Sequence, residues 1–260
     1  PSPRSRKGRN GRVMVIAGNK QYHGALHLAI KAAAKIVDLV YVVSTPENLA
    51  LVKKLKSRVA EFITLDIENI HKQISKMDAV LLGPGLGISP QTKEMVNSLL
   101  ENYPRQKFVL DADALKVVDK SLLNERIIIT PHAGEFSAMF NRVVKQKNIQ
   151  NMAKQHQCVI VLKGVTDYVG SAQEFKENKT GSVGMTKGGT GDVLAGLITA
   201  FYAKNEAFLS ASAGVFINAK AGERLAKQVG RYFSASDLVA EIPATIKWAE
   251  DWQAEESLTV

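Results

Sequence analysis

The chain has 260 residues, 45% hydrophobic and 23% charged, a balance that excludes a disordered or fibrous chain and fits a globular protein with a sizeable core. Its net charge of +9 is accompanied by no nucleic-acid motif and no basic helix interleaved with aromatics, so the excess is read as a solvated face or as steering for a polyphosphate rather than as a nucleic-acid surface. The single cysteine, Cys158, excludes an intramolecular disulfide, and the longest uncharged apolar stretch, VLAGLITAFYA, is too short to span a bilayer.

In chain order, residues 1–12 are polar and basic, carrying Arg4, Arg6, Lys7, Arg9 and Arg12 and no acid. They do not read as a secretory signal, and the expectation is a soluble, cytoplasmic protein. The β-branched run RVMVIAGN then leads into the helical pattern GALHLAIKAAAKIV. LVYVVST leads into PENLALVKKLKS, where Thr45 can cap a helix and Pro46 suits its first position. AVLLGPGLG leads into SPQTKEMVNSLLENY, with Ser89 and Pro90 repeating that arrangement. KFVLDADAL, RIIITPHAGEF and CVIVLKG continue the series, and GGTGD opens the helical run DVLAGLITAFYA. The strand runs are nearly unbroken in apolar character, as expected for strands covered on both faces. The alternation predicts one α/β domain over 1–260, with three α/β/α layers and a mostly parallel sheet. Loops at the carboxyl ends of such strands converge on one edge, where ligands bind.

The loops carry the chemistry. In GGTGD, glycines before a helix let backbone N–H groups approach an anion, and the helix N-terminus favours negative charge. Asp192 is either a carboxylate beside that anion or an ordinary acid in a first helical turn. No Walker A loop is present, so phosphate binding would follow another scheme. Gly83, Gly85 and Gly87 miss the dinucleotide spacing at Ile88 and read as a tight turn for close backbone approach. Asp111 and Asp113 at a strand end could hold Mg²⁺, act as acid and base, or form a solvated turn. His132 and Glu135 could contact a ligand or cap a helix. His23 and His27 lie four apart without an evident third metal ligand, and Cys158 reads as a small buried apolar residue.

Taken together, YHGA at 22–25, GPGLG at 83–87, LDADAL at 110–115, TPHAGEF at 130–136, LKGVTD at 162–167 and GMTKGGTGDVLAG at 184–196 resemble, in order, the ATP- or ADP-dependent NAD(P)H-hydrate dehydratases of the ribokinase-like fold. The resemblance covers roughly residues 8–245. It implies repair of hydrated NADH and NADPH by phosphorylation of the C6 hydroxyl from a nucleotide and loss of the phosphate. On that basis Asp192 would be the catalytic base and the N–H groups of Gly189, Thr190 and Gly191 would steady the phosphoryl group. Lys163, Gly164, Val165, Thr166 and Asp167 would line the adenine nucleotide. Ala25, Gly87, His132 and Asp192 would contact the hydrated dinucleotide, and Asp111 and Glu135 would orient Mg²⁺ or water. It further implies a homo-oligomer, tetrameric in relatives, and an epimerase as partner or fused domain, with residues 1–12 suiting a junction. AGNKQYHGA departs from the family's usual GGS opening at Ala17 and Asn19, and Ser182 stands near where an asparagine is common. A same-fold kinase for a hydroxymethyl vitamin precursor, and a non-catalytic nucleotide sensor, are the competing readings.

Overall fold

The computed structural model describes residues 4–54 and 60–258. Among them, nine strands form a single sheet in the order β3-β2-β1-β4-β5-β6-β7-β8-β9. These are β1 (Arg12–Ile16), β2 (Leu39–Val43), β3 (Ile63–Leu65), β4 (Ala79–Leu82), β5 (Phe108–Leu110), β6 (Ile127–Ile129), β7 (Val159–Leu162), β8 (Asp167–Gly170) and β9 (Phe175–Asn178). The strands from β1 to β7 pair in parallel, and β8 and β9 close one edge as an antiparallel hairpin.

The unbroken apolar runs have a direct structural meaning. Val13 and Val15 point to one core while Met14 and Ile16 point to another, so both faces of β1 need apolar side chains. One face is covered by α1 (His23–Ala33), α8 (Thr190–Tyr202) and α9 (Ala207–Val229). The other is covered by α4 (Pro90–Asn102), α6 (Ala133–Phe140) and α7 (Gln146–His156), with α3 (Ile70–Gln73) and α5 (Asp113–Val117). α10 (Ala235–Leu258) packs outside α8 and α9 over a third apolar cluster built around Phe233, Leu238 and Ile242. The expected three layers are therefore present, with α10 added beyond them.

The helix starts follow the sequence signals. Ser89 Oγ accepts the Thr92 N–H at 3.0 Å, with Pro90 in the first turn of α4. Thr45 Oγ1 accepts the Asn48 N–H at 3.3 Å at the head of α2 (Pro46–Lys54), and the predicted continuation of that helix to residue 57 lies outside the described residues.

Strand order reverses between β1 and β4, since β2 and β3 lie on one side of β1 while β4 to β9 run out on the other. α1 and α4, which follow these two strands, accordingly lie on opposite faces. Their carboxyl ends open a crevice at the switch point, the place where open α/β sheets bind ligands. No helix among the described residues is long and apolar enough to cross a membrane.

Candidate active site

The loop after β1 and the loop after β4 meet at the switch point. Gly18 N–H donates to the Pro84 carbonyl at 2.7 Å. All three glycines of GPGLG have positive φ, at 132°, 65° and 78°, conformations that only glycine adopts without strain. The turn is also tight. A side chain on Gly83 would overlap the Asp111 carbonyl, one on Gly85 would meet Tyr22 and Ala25, and one on Gly87 would meet the Asn19 amide at 2.6 Å. Asn19 in turn accepts the N–H groups of Gln21 and Tyr22 at 2.8 and 3.0 Å. Ala25 and Gly87, anticipated as substrate contacts, are thus brought to one place, with Asn19 shaping the departure from the usual first loop.

The two carboxylates of DADAL divide their work. Between them Ala112 takes φ 51° and ψ −115°, a sparsely populated conformation for a residue with a side chain. Asp113 is pulled to the GPGLG turn, where Oδ2 accepts the Gly87 N–H at 2.9 Å and Oδ1 accepts from Lys116 Nζ at 2.8 Å. Asp111 is buried on the other side, and its Oδ1 accepts from both Thr130 Oγ1 and Lys163 Nζ at 2.7 Å.

Lys163 follows β7 and is tied by its own N–H to the Pro131 carbonyl at 2.9 Å, bridging it to the next loop at His132. Burial opposes the charge on its ammonium, but Asp111, and beyond it Glu135 and Asp192, outweigh that and hold its pKa above the usual lysine value. A Cβ on Gly191 would lie 3.6 Å from Lys163 Nζ, which places the ammonium against the glycine turn.

That turn opens α8. Gly189 caps it at φ 95°, and a side chain there would overlap Leu28 of α1, so the turn is pressed against the helix that carries Ala25. Thr190 Oγ1 donates to the Met185 and Lys187 carbonyls at 2.7 and 3.0 Å, fixing the approach. Asp192 stands in the first turn, half-buried. Burial first, then the nearby Asp111, push its carboxyl up to about 7, with Lys163 pulling the other way. A half-desolvated carboxylate with that value is poised to take a proton near neutral pH.

His132 and Glu135 form a capping box at the start of α6. His132 Nδ1 accepts the Gly134 and Glu135 N–H groups at 3.0 and 3.2 Å, and Glu135 Oε2 accepts the His132 N–H at 2.9 Å. The capping alternative is therefore realised, and it leaves the His132 ring exposed at the site edge. Among the described residues no group of three His, Cys, Asp or Glu side chains could hold a metal ion. His23 is hydrogen-bonded to Asn48 at 2.8 Å. Burial pushes the Cys158 thiol up to about 12, so it is inert packing.

Beyond Lys163 lies a cavity of about 830 Å³ lined by His132, residues 163–165, Asp167, residues 179–183, Gly191 and Asn218 among others. Its size is that of a site for a small organic ligand. The KGVTD loop forms one wall. Gly164 N–H donates to Asp167 Oδ1 at 3.0 Å, and Asn178 Nδ2 reaches Asp167 Oδ2 at 3.4 Å, so Asp167 shapes the loop. Val165 is fully exposed at the rim. The wall from Lys179 to Gly181, together with Asn218, was not legible as site in the sequence, since the loop after β9 and α9 bring these residues in from distant segments.

A mostly parallel sheet with a glycine turn, a half-buried carboxylate and a lysine gathered beyond the carboxyl ends of its strands is the arrangement of a ribokinase-like protein. A solved ribokinase-like superfamily protein from Enterococcus faecalis shares this fold, with a TM-score of 0.87 over 95% of this chain and 90% of that one, at 25% identity. The chain belongs to the NAD(P)H-hydrate dehydratase family, whose sequence model matches residues 13–244. It is 43% identical over 255 residues to a bifunctional NAD(P)H-hydrate repair enzyme of Methanocaldococcus jannaschii, covering 94% of this chain and 49% of that protein. It is 35% identical over 265 residues to an ADP-dependent (S)-NAD(P)H-hydrate dehydratase of Nitrosopumilus maritimus, covering 94% and 91%. The chain thus spans about half the length of the bifunctional relative and nearly all of the dehydratase.

Proposed function

We propose that the protein dehydrates the S-form of hydrated NADH and NADPH, using ATP or ADP as phosphoryl donor. The observation that carries this reading is the half-buried Asp192 set directly behind the Gly189–Gly191 turn, beside Lys163. Asp192 accepts the proton of the C6 hydroxyl as its oxygen attacks the terminal phosphoryl group and the bond to the nucleotide breaks. The N–H groups of Gly189, Thr190 and Gly191 stabilise the charge on that group. Phosphate then leaves C6 and a proton leaves C5, restoring the ring double bond.

The nucleotide lies in the 830 Å³ cavity with Lys163, Gly164, Val165 and Asp167 along it, Thr166 of the same loop not lining the cavity, and the dinucleotide lies at Ala25, Gly87 and His132. Mg²⁺ suits a site with one buried carboxylate, Asp111, and Glu135 nearby, because this ion keeps waters and phosphate oxygens as most of its ligands. When bound it neutralises phosphate charge. Asp111 meanwhile holds Lys163 in place through the 2.7 Å contact. A cytoplasmic setting, an epimerase activity that supplies the S-form, whether on a fused domain or a separate chain, and assembly as a homo-tetramer complete the reading.

The test incubates the S-form of NADH hydrate with protein, Mg²⁺ and either nucleotide. Recovery of NADH absorbance with one phosphate released per turnover is expected. A stable phosphorylated alcohol would point to a kinase instead, and no recovery with either nucleotide would remove the reading.

A further inference from the structure

A second, smaller cavity of about 340 Å³ lies between α5 and α6. Leu115 and Met139, both buried, line it, and Ala138, which is exposed, is small enough to leave it open. Lys116 and His132, both exposed, line it as well. The cavity adjoins two of the positions proposed for the dinucleotide. His132 borders both this cavity and the 830 Å³ one. Gly87 lies one carboxylate away from Lys116, because Asp113 accepts the Gly87 N–H through Oδ2 at 2.9 Å and the Lys116 ammonium through Oδ1 at 2.8 Å. Asp113 is the one hydrogen-bond partner of that ammonium among the described residues, so two of its three donors are left for water or a ligand. The hydrogen bond to Asp113, opposed by burial, raises the pKa of Lys116, and Glu135 and Tyr22 add to the rise, so the side chain stays charged at neutral pH.

We infer that the groove between α5 and α6 is a subsite for the adenosine half of the dinucleotide substrate, with Lys116 contacting one of its phosphate groups. This rests on the proposed reaction. The hydrated ring has to reach Asp192, and the larger cavity is taken by the phosphoryl donor, so the remote half of the substrate needs a place of its own. At 340 Å³ the groove is at the lower limit of ligand-site sizes, too small for a whole dinucleotide and suited to one ring system. Its character suits a base. Leu115, Ala138 and Met139 offer an apolar wall to a flat heteroaromatic ring, and a thioether packs favourably on aromatic edges. The ammonium beside that wall suits the phosphates attached to such a base. The groove supplies affinity and specificity and takes no part in the chemistry. Two phosphate sources carry the same charge to Lys116: the bridging diphosphate, common to both hydrates, and the 2′-phosphate, which only NADPH hydrate has.

The experiment measures kcat and KM for the S-forms of NADH hydrate and NADPH hydrate, and KM for the nucleotide, in the wild type, Ala138→Trp, Ser137→Trp and Lys116→Met. Ala138→Trp fills the groove and is expected to raise KM for both hydrates about 10-fold or more, with kcat and the nucleotide KM within about threefold, the pattern of lost ground-state binding. Ser137→Trp places the same bulk on an exposed position of α6 outside the groove and should match the wild type. Lys116→Met keeps the apolar stem and removes the charge, and it should raise KM about 10-fold. A rise for both hydrates assigns the contact to the diphosphate, and a rise for NADPH hydrate alone assigns it to the 2′-phosphate. Unchanged hydrate KM values in Ala138→Trp or in Lys116→Met overturn the inference. So does a nucleotide KM that rises in step with the hydrate KM, which is what general damage to the site would produce. Failure of the wild type to turn over either hydrate would instead remove the reading on which the inference stands.

Discussion

At the scale of single residues, the site turns on how Asp192 is ionised. Its carboxyl is raised from an ordinary 3.8 to about 7, chiefly by burial. A raised acid favours the folded state most below its unfolded pKa, and that contribution is lost as pH rises through the folded value. Asp192→Asn should therefore melt higher than the wild type at pH 8, by on the order of 2–4 kcal/mol, with the gap shrinking as pH falls towards 4. The same substitution should lower turnover roughly 10²- to 10⁴-fold, the usual weight of a general base. Wild-type activity should rise with pH through about 7, as the carboxylate form becomes populated. Melting curves and pH–rate profiles of the two proteins check these outcomes together. A variant at once more stable and nearly inactive would separate a catalytic carboxylate from an acid that merely caps a helix. The position of Asp192 in the first turn of a helix was legible, because a glycine turn before a helix is a local signal. It could not show that Lys163 binds Asp111, or that Asn218 faces the same cavity, because those contacts join residues 52 positions apart or more.

At the scale of elements, the position of Asp192 depends on how closely α8 lies on α1. Gly196 faces the Ala29 carbonyl, and a methyl group there would overlap that backbone. Gly24, in the first turn of α1, has nothing within 4 Å of where its Cβ would stand. The same substitution should therefore have opposite signs at the two positions. Gly196→Ala should cost about 1–3 kcal/mol through overpacking. Gly24→Ala should be stabilising by about 0.5–1 kcal/mol through helix propensity. Thermal melts of the two variants read both signs, and a neutral Gly196→Ala would mean that the helices separate more easily than their packing suggests. Elements with strong local signals were the legible ones. β1, β2 and β4 to β7 are dense in Val, Ile and Leu, and α4 and α8 carry start signals at Ser89 and at the glycine turn. The β8–β9 hairpin was not legible, since DYVG and FKEN lack a long apolar run, and β3 is only three residues long with an exposed first position. These edge strands are fixed by pairing with β7 and β2 and not by their own composition.

At the scale of the whole molecule, charge and architecture act on the same event. The chain carries +9, and both ligands of the proposed reaction are polyanions. The proposed site lies at the open carboxyl edge of the sheet, with Lys163 and Lys179 along the 830 Å³ cavity and Lys116 beside the GPGLG turn. A net positive field raises the encounter rate of an anion without altering the chemical step, and it is screened once the Debye length falls below the approach distance, about 10 Å at 0.1 M salt. Raising sodium chloride from about 20 to 300 mM should thus lower kcat/KM for nucleotide severalfold while leaving kcat within a factor of about two. The contrast within one titration is informative. If kcat falls in parallel, salt is disturbing the Asp111–Lys163 pair inside the site. If neither parameter moves, the positive charge lies away from the approach path and serves only as a solvated face. A fall confined to kcat/KM assigns the excess charge to steering rather than to a solvated face, the two roles that composition leaves open.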